Sequence, residues 1–346
     1  MYIGTNNFDA TDVYQGASLF VIPRSDLFAA VPSVSSMSMF SSLVVDPVPL
    51  FTFQGAVNWQ ATPGNSANIL AITSGWGNVM RMQALGVNAS GATFTPASLV
   101  INLPSAVEIQ PARQPDGTRL VDPLDDRISA NVVQVNGKLY GVQTITLNTA
   151  DYAQLHWFVL NASTGALIED GFIGGDDYDY YQGSIAVNEW GNAVIGYNRS
   201  GGPEKGNDGR ISFMAQAFRT DGLGGLDAFG TSVLLKRSEI DNYHCGPESP
   251  IDPNCRQRWG DYAAVTLDPL DHQRFWAIGE YAEGWQVLPN SPITDPRANW
   301  STYIAALELE PAPVPLPILG VGGSFLWSRR LRRRIAVGTA GQRSSG

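Results

Sequence analysis

The sequence predicts an all-β fold, and more specifically a β-propeller of four to five blades. Short apolar runs recur in pairs around turn residues, as expected for β-hairpins. No stretch of comparable length shows the 3.6-residue apolar period of a helix. Charged residues make up only 16% of the chain, whereas it contains 36 glycines and 22 prolines, a composition typical of many short strands and tight turns.

Four segments carry the hairpin pattern. In residues 130–148, apolar residues flank the pair Asn136-Gly137, which supplies the positive φ angles of a two-residue turn. Residues 155–173 repeat the pattern around a loop at 161–165, and residues 183–198 around a loop at 189–192. Residues 261–281 repeat it again around a longer acidic turn. The body of the chain is therefore predicted to be built from hairpins.

Residues 183–198 and 260–281 also resemble each other in sequence. Both have a leading glycine, an Ala-Val step, a turn and a second apolar strand, and a further apolar strand follows each. Similar orders occur at 128–173, 51–101 and 1–27, and repeated units of this size are typical of propeller blades. The strand-like start predicts an N-terminally truncated first blade. A β-sandwich with long loops is the alternative, because it also contains short strands and turns.

Two stretches, 29–50 and 108–127, are rich in turn and breaker residues and are predicted to be loops between strands or blades. The composition changes only at about residue 310. We therefore expect a propeller-like domain over 1–310 and a C-terminal tail over 311–346.

Charge is distributed unevenly along the chain. The net charge is −10, but six of the 22 basic residues follow Ser328, so residues 1–328 carry 16 basic and 32 acidic side chains, a formal charge of −16. A body of this charge repels nucleic acid and anionic lipid. Nucleic acid is therefore not an expected partner.

The two cysteines, Cys245 and Cys255, lie in a loop that contains three prolines. An even pair that closes a short loop predicts a disulfide and an oxidising compartment. A metal site completed by His244 is the alternative interpretation, although no second nearby histidine would complete a zinc shell.

The tail has a distinctive order of residues. Its prolines alternate in "PAPVPLP", an uncharged apolar run covers 318–327, and a cluster of five arginines follows, at Arg329, Arg330, Arg332, Arg333 and Arg334. The motif Val314, Pro315, Leu316 and Pro317 followed by such a run and cluster resembles the PEP-CTERM class of bacterial sorting signals, in its VPLP variant.

That resemblance implies processing by an exosortase-type membrane enzyme and a location outside the cell or at the surface of a Gram-negative bacterium. Contact with the membrane would be transient and confined to the tail. Two features depart from the family. The apolar run is shorter than a membrane-spanning helix needs, and residues 335–346 follow the arginines. An ordinary basic, disordered C-terminus is the alternative.

A second resemblance covers Arg258 to Leu307, in the segments "RWGDYAAVTLDP", "FWAIGEY" and "WSTYIAAL". This stretch is similar to a terminal-blade segment of secreted bacterial propeller-like proteins of unassigned role. The resemblance implies export and a propeller-like fold. It does not identify any catalytic residue in this chain.

The loop "GGDDYDYYQG" places Asp176, Asp177 and Asp179 among tyrosines. Carboxylates in a glycine-rich loop are ligands that Ca²⁺ prefers. The EF-hand pattern is incomplete, however, and the favoured interpretation is a solvated acidic turn before a strand. Beyond this Ca²⁺ candidate, the sequence predicts no cofactor.

The stretch "CRQRWGDY" places Arg258, Trp259 and Asp261 just before a strand. The indole could stack on a sugar ring while the charged groups bond hydroxyls. A structural arginine–aspartate pair that fixes the loop is the favoured alternative. Asp261 and Glu280 could together supply the two carboxylates of a glycoside hydrolase.

The sequence lacks the nucleophile-elbow, zincin, P-loop and dinucleotide motifs. His156 lies in an apolar strand, where a hydrogen-bonded core histidine is expected. The leading hypothesis is a secreted or cell-surface, non-enzymatic binding or structural protein of the exopolysaccharide or biofilm matrix, whose partner is a polysaccharide or a surface protein. The alternative is an extracellular carbohydrate-active hydrolase that uses loop carboxylates.

Overall fold

The computed structural model describes residues 1–41, 43–45, 48–60, 66–73, 75–86, 91–117, 120–220, 225–241, 257–259, 263–286 and 297–309. Cys245, Cys255 and Asp261 lie outside these ranges, and so does the tail from residue 310. The predicted disulfide, the domain boundary and the sorting motif therefore stay predictions.

The prediction of an all-β chain is confirmed. In the described ranges, the regular structure is strand apart from one short helix, α1 (Arg24–Leu27), and a 3-10 segment at Pro203–Gly209. None of the helices in the described ranges has the length and apolarity to cross a bilayer.

The strands of the first half of the chain are β1 (Tyr2–Phe8), β2 (Tyr14–Val21), β3 (Ser38–Ser41), β4 (Val44–Val45), β5 (Val48–Pro49), β6 (Phe51–Gly55), β7 (Val57–Asn58), β8 (Ser66–Ile72), β9 (Val79–Leu85), β10 (Thr93–Phe94), β11 (Ser98–Ile101), β12 (Ala106–Val107), β13 (Val121–Asp122), β14 (Val133–Val135), β15 (Lys138–Leu147), β16 (Gln154–Asn161) and β17 (Leu167–Ile173). The remaining strands are β18 (Asp179–Val187), β19 (Ala193–Ser200), β20 (Ser212–Thr220), β21 (Leu226–Arg237), β22 (Gln257–Arg258), β23 (Ala264–Leu267), β24 (Arg274–Gln286) and β25 (Arg297–Glu308).

These strands form five sheets of three or more strands, which we number in chain order. Sheet 1 has the order β1-β2-β3, and sheet 2 the order β10-β9-β8-β6, with β11 also paired to β9. Sheet 3 has the order β17-β16-β15-β14-β7, with β12 paired to β15. Sheet 4 is the meander β18-β19-β20-β21, and sheet 5 is β23-β24-β25.

The predicted hairpins correspond to paired strands. Asn136 and Gly137 have φ angles of 50° and 73° at the turn between β14 and β15, as the sequence predicts. The hairpins of sheets 3, 4 and 5 pair antiparallel over the predicted segments. The prediction that 29–50 is a loop was wrong in part, because the stretch contains β3, all four residues of which pair with β2.

The core is divided into layers between successive sheets. Residues that alternate along one strand belong to different apolar clusters, because successive side chains of a strand point to opposite faces. In β8, Ile69 and Ala71 pack toward sheet 1 whereas Leu70 packs toward sheet 3. In β18, Ile185 faces sheet 3 and Ala186 faces sheet 5. Sheets 2, 3 and 4 are therefore covered on both faces.

Four apolar interfaces result, joining sheets 1 and 2, 2 and 3, 3 and 4, and 4 and 5. A β-sandwich has two sheets and a single such interface, so this layering differs from the sandwich alternative. Within the described ranges, none of these clusters joins sheet 5 to sheet 1.

Candidate functional site

Two cavities of about 270 Å³ each lie on either side of the segment 121–129. They are found at the end of the sheets where β15 ends and β18 begins, which we call the cavity end. The backbone N–H of Tyr180 donates to the carbonyl of Ala153 there, 3.0 Å away. The turn between β8 and β9 reaches the same end, because Ala106, beside Gly77 of this turn, pairs with Leu147 at the end of β15.

The first cavity combines aromatic rings with polar side chains. Its rings are Phe8 and Phe53, and its polar lining groups are Asn6, Thr52, Gln54, Arg127 and Ser129. Thr52 has a φ of 53°, in the left-handed region that a β-branched residue rarely adopts. Two hydrogen bonds to Asn6, of 3.0 and 3.2 Å, hold it there. Strain of this kind is concentrated at functional sites.

The second cavity is aromatic and acidic. It is lined by Trp76, Glu108, Ile109, Asp122, Leu124 and Asp125. Leu124 has a φ of 66°, so each cavity contains one non-glycine residue in the left-handed region. The carboxylate of Asp122 accepts the backbone N–H of Leu124 at 2.9 Å, an Asx turn that accommodates this backbone.

An ion pair separates the two cavities. The guanidinium of Arg127 donates to both carboxylate oxygens of Asp125 at 2.6 Å each. Asp125 lines the second cavity and Arg127 the first. Because each donor and acceptor has a fixed orientation in such a bidentate pair, it presents defined polar groups to both cavities.

Asp126, between the members of this pair, is buried. Its side chain is 2% exposed, and it accepts the backbone N–H of Gly77 at 2.7 Å. Burial raises the pKa of Asp126 to about 7, with a smaller contribution from the neighbouring charge of Asp125. Asp126 is not among the residues that line either cavity.

A buried polar chain continues from Gly77. The amide of Gln143 donates to the Gly77 carbonyl at 3.3 Å and lies 3.4 Å from Nδ1 of His156. The Nε2 atom of His156 lies 2.8 Å from the carboxylate of Asp170, and this hydrogen bond lowers the pKa of Asp170. His156 is 0% exposed, which confirms the prediction of a hydrogen-bonded core histidine.

The predicted acidic loop lies at the cavity end, where its three carboxylates take different partners. Asp179 accepts the guanidinium and the backbone N–H of Arg113, each at 2.9 Å, and the backbone N–H of Ala153 at 3.0 Å. Asp176 accepts the Tyr180 hydroxyl at 2.8 Å. Asp177 lies 3.7 Å from the ammonium of Lys205.

The described part of the chain contains no group of three or more His, Cys, Asp or Glu side chains placed to hold a metal ion. A separate charged cluster next to this loop forms around Asp208, which accepts hydrogen bonds from Tyr178, Arg199 and Arg237. Asp176 and Asp177 are exposed in the turn before β18, as the sequence predicts, whereas Asp179 is the first residue of β18 and is buried.

Of the other predicted ligand residues, Trp259 and Glu280 are not among those that line the two cavities. Trp259 is only 2% exposed and packs with Tyr181, Ile211 and Ala282 in a core cluster, so its ring has no free face for a sugar. This corrects its candidacy as a stacking residue. Glu280 lies on β24 opposite Thr302. Arg258 lies in β22, whose backbone pairs parallel with β13. Asp261, its predicted partner, lies outside the described residues.

Sequence reasoning missed the residues that line the cavities. They come from five separate stretches of the chain, and the segment 108–127 was expected to be a connecting loop. A signal was present in "VDPLDDR", where Asp122, Asp125, Asp126 and Arg127 concentrate charge around a proline in a chain with few charges. The partners of this segment could not be identified from its own sequence.

No protein-family model matches the chain, and no curated protein matches its sequence. The Bombyx mori GH32 beta-fructofuranosidase BmSUC1 is similar in structure over 89% of this chain and 57% of its own length, with 8% identity and a TM-score of 0.40. This chain therefore spans a little more than half the length of that protein.

Two further solved structures have similar scores. A subtype N10 neuraminidase-like protein of A/little yellow-shouldered bat/Guatemala matches over 84% of this chain and 77% of its own, with 11% identity and a TM-score of 0.35. A thermostable family-43 glycoside hydrolase matches over 75% of this chain and 91% of its own, with 11% identity and a TM-score of 0.29. None of the three is similar enough to assign an activity to this chain.

Proposed function

We propose that the protein is a non-enzymatic, polysaccharide-binding protein of the extracellular matrix, and that a sugar chain lies across the two cavities beside the segment 121–129. One observation carries this proposal. Aromatic rings and hydrogen-bonding side chains line two adjoining cavities, and the fixed Asp125–Arg127 pair lies between them.

The chemistry of the cavities suits a carbohydrate. A sugar ring has an apolar face, which packs on rings such as Trp76 and Phe8, and a rim of hydroxyls. The amide of Asn6, which both donates and accepts, and the carboxylate of Asp125, which accepts, can bond that rim. The proposed ligand is uncharged, because the strongly acidic body repels polyanions.

The expected fold and the expected location at the cell surface agree with this function. The successive face-to-face sheets are the arrangement found in propeller blades, and we propose that the chain contributes five blades to such a ring. We further propose that the tail 311–346 directs the protein to the cell surface and that Cys245 and Cys255 form a disulfide there. Intact-mass spectrometry of the exported protein would detect loss of the tail and of two thiol hydrogens.

Glycoside hydrolysis is the second candidate function, and one observation favours it. Glu108, Asp122 and Asp125 line the same cavity, and paired carboxylates are what hydrolysis of a glycosidic bond requires. Asp125 is engaged by Arg127, which leaves Glu108 and Asp122 as the pair to test. Under the binding proposal neither has a chemical role.

The test is affinity electrophoresis of the full chain in native gels that contain soluble β-glucan, xylan or galactomannan. We expect at least one polymer to retard the protein, and Trp76→Ala to weaken that interaction by about tenfold or more, since truncating a central aromatic contact has effects of this size. The matched control is Trp300→Ala, which removes a 42% exposed tryptophan that lines neither cavity.

The same polymers separate binding from hydrolysis. Release of reducing ends by the parent chain, and its loss in Glu108→Gln or Asp122→Asn with binding retained, would establish the hydrolase instead. Equal retardation of the parent and Trp76→Ala proteins would contradict a sugar site in the second cavity.

A further inference from the structure

The hairpin turns at the other end of the sheets form a connected row. We call this row the turn rim, and it consists of residues 58–60, 136–137, 188–192 and 268–272. Each of these stretches follows or connects strands of sheets 3, 4 and 5. In β18, Asp179 lies at the cavity end and Val187 at the turn rim, so the nine-residue strand separates the two ends by about 30 Å.

Side chains link the turns to one another. The amide of Gln60 donates to the side chain of Asn136 at 2.6 Å and accepts the backbone N–H of Asn136 at 2.9 Å. The Asn136 amide donates to the backbone carbonyl of Glu189 at 2.6 Å. The carboxylate of Glu189 lies 2.9 Å from Nδ1 of His272. The turn rim is therefore a continuous hydrogen-bonded chain across three sheets.

A buried asparagine fixes the central turn. Asn188 is 1% exposed, and its side-chain oxygen accepts the backbone N–H groups of Trp190 and Asn192 at 3.2 and 3.0 Å. Its amide donates to the carbonyl of His272 at 3.1 Å. The position of Trp190 is thus set by the fold rather than by contacts of its own ring.

Large apolar side chains on this rim are exposed. Trp59 and Trp190 are each 51% exposed, and Leu270 is 96% exposed. Trp59 precedes Gln60 and Trp190 follows Glu189, and Gln60 and Glu189 are the hydrogen-bond partners of Asn136. Several exposed apolar side chains on one surface mark a binding site more often than single scattered ones do.

We infer that the turn rim is a second binding surface, independent of the cavities, for an extended, uncharged polysaccharide. Two indoles on one rigid row can stack on separate sugar rings of one chain, and the amides and carboxylate between them can bond its hydroxyls. A polyanion does not fit, because Glu189 adjoins Trp190 and residues 1–328 carry a formal charge of −16. A protein partner would require a wider apolar patch than two separated rings provide.

The distance between the turn rim and the cavities determines how a polymer can bind to the protein. Because the cavities and the rim lie at opposite ends of the strands, a single polymer chain cannot follow a short path through both. One protein molecule would then hold two polysaccharide chains, as a cross-linker of a matrix does. This part of the inference rests on the proposed function of the cavities, whereas the rim surface itself does not.

The test uses the full chain and the polymers named above, with the double variant Trp59→Ala/Trp190→Ala. We expect polymer affinity at the rim to fall by about tenfold or more, and turbidity from cross-linked polymer to disappear while short oligosaccharides still bind the cavities. The matched control is the double variant Phe28→Ala/Trp300→Ala, which removes two rings, 75% and 42% exposed, from other surfaces. Thermal melting and circular dichroism confirm that each variant is folded.

The results with the two variants test the rim site and the cavity site separately. If the rim variant binds and cross-links like the parent while Trp76→Ala loses binding, the rim inference is wrong and the cavity proposal stands. If the rim variant alone loses binding, the rim is the polysaccharide site and the cavity proposal is wrong. Unchanged behaviour of both variants, or no polymer binding by the parent, would overturn both.

Discussion

Asp126 illustrates how a residue's surroundings set its chemistry. Asp122, Asp125 and Asp126 are neighbours in sequence, but only Asp126 is placed behind the turn at Gly77 with 2% of its surface exposed. Desolvation penalises its charged form and raises its pKa to about 7. The group that fixes the base of the segment 121–129 is therefore sensitive to pH in the neutral range.

The raised pKa of Asp126 predicts the direction of a stability change. The folded state holds the proton more tightly than the unfolded chain does, so this group stabilises the fold below about pH 4 and its contribution is lost as pH rises toward about 7. We expect Asp126→Asn, which stays neutral and keeps an acceptor for Gly77, to be more stable than the parent at pH 8 by up to a few kcal/mol. Urea unfolding at pH 5 and pH 8 measures the difference.

Comparing the parent with Asp126→Asn isolates the contribution of Asp126, because the other carboxyl groups affect the pH dependence of stability equally in both proteins. Asp126→Ala serves as the control, since it removes the acceptor for the Gly77 N–H and should destabilise at both pH values. Parallel pH profiles of the parent and Asp126→Asn proteins would show that Asp126 is not protonated in the folded state.

At the scale of elements, the hairpin between β14 and β15 follows from local chemistry. Asn136 and Gly137 adopt positive φ angles, which these two residue types tolerate best. The residue choice in the strand that follows depends instead on a contact with a neighbouring strand. Gly141 in β15 lies directly against the ring of Phe158, and a Cβ added there would approach the ring to 2.4 Å.

Two glycine substitutions in this hairpin therefore have unequal costs. Gly137→Ala meets no atom within 4 Å, so only its backbone conformation is strained, at about 1–2 kcal/mol. Gly141→Ala forces the buried Phe158 ring to move and should cost more than Gly137→Ala. Thermal unfolding of the two variants side by side gives the order, and an equal loss would show that the ring moves freely.

At the scale of the whole molecule, stability depends on the four interfaces between sheets. Phe213 of β20 is 0% exposed and packs between sheets 4 and 5, directly against Gly279 of β24. Sheet 5 shares its main apolar cluster with sheet 4 alone among the described sheets. Ala282 of β24 also packs with Tyr181 of β18 in a smaller cluster, so sheet 5 is attached to sheet 4 mainly through the layer that contains Phe213.

Loss of the Phe213 ring should open sheet 5 selectively. We expect Phe213→Ala to cost about 3–5 kcal/mol and to increase amide hydrogen exchange in β23, β24 and β25 before other sheets. Phe158→Ala removes an equally buried ring from the interface of sheets 2 and 3 and is the matched control. Uniform exchange across all sheets in Phe213→Ala would indicate that the array unfolds as one unit.

The number and order of the sheets could be predicted from the chain, whereas the cavities could not. Residues 51–101, 128–173, 183–198 and 260–281 contain predicted strand pairs that the structure also contains, because these pairings join neighbouring segments, whereas the pairing of β7 with β14 joins distant ones. Cavity-lining residues such as Asn6, Thr52 and Arg127 are separated by tens of residues. The sequence offers Trp259 as a stacking candidate, with a structural role for its loop favoured, and the structure places Trp259 in an apolar cluster.

The sequence by itself determined the strands, their turns and the alternation of their two faces. These properties depend on the φ preferences of single residues and on a two-residue period, both of which are local. Only the tertiary structure decided which side chains meet at the ends of the sheets. Asp126 became buried, Arg127 joined a cavity with Asn6, and Gln60 was linked to Glu189 through Asn136, because packing of sheet on sheet brings together segments that no short pattern connects.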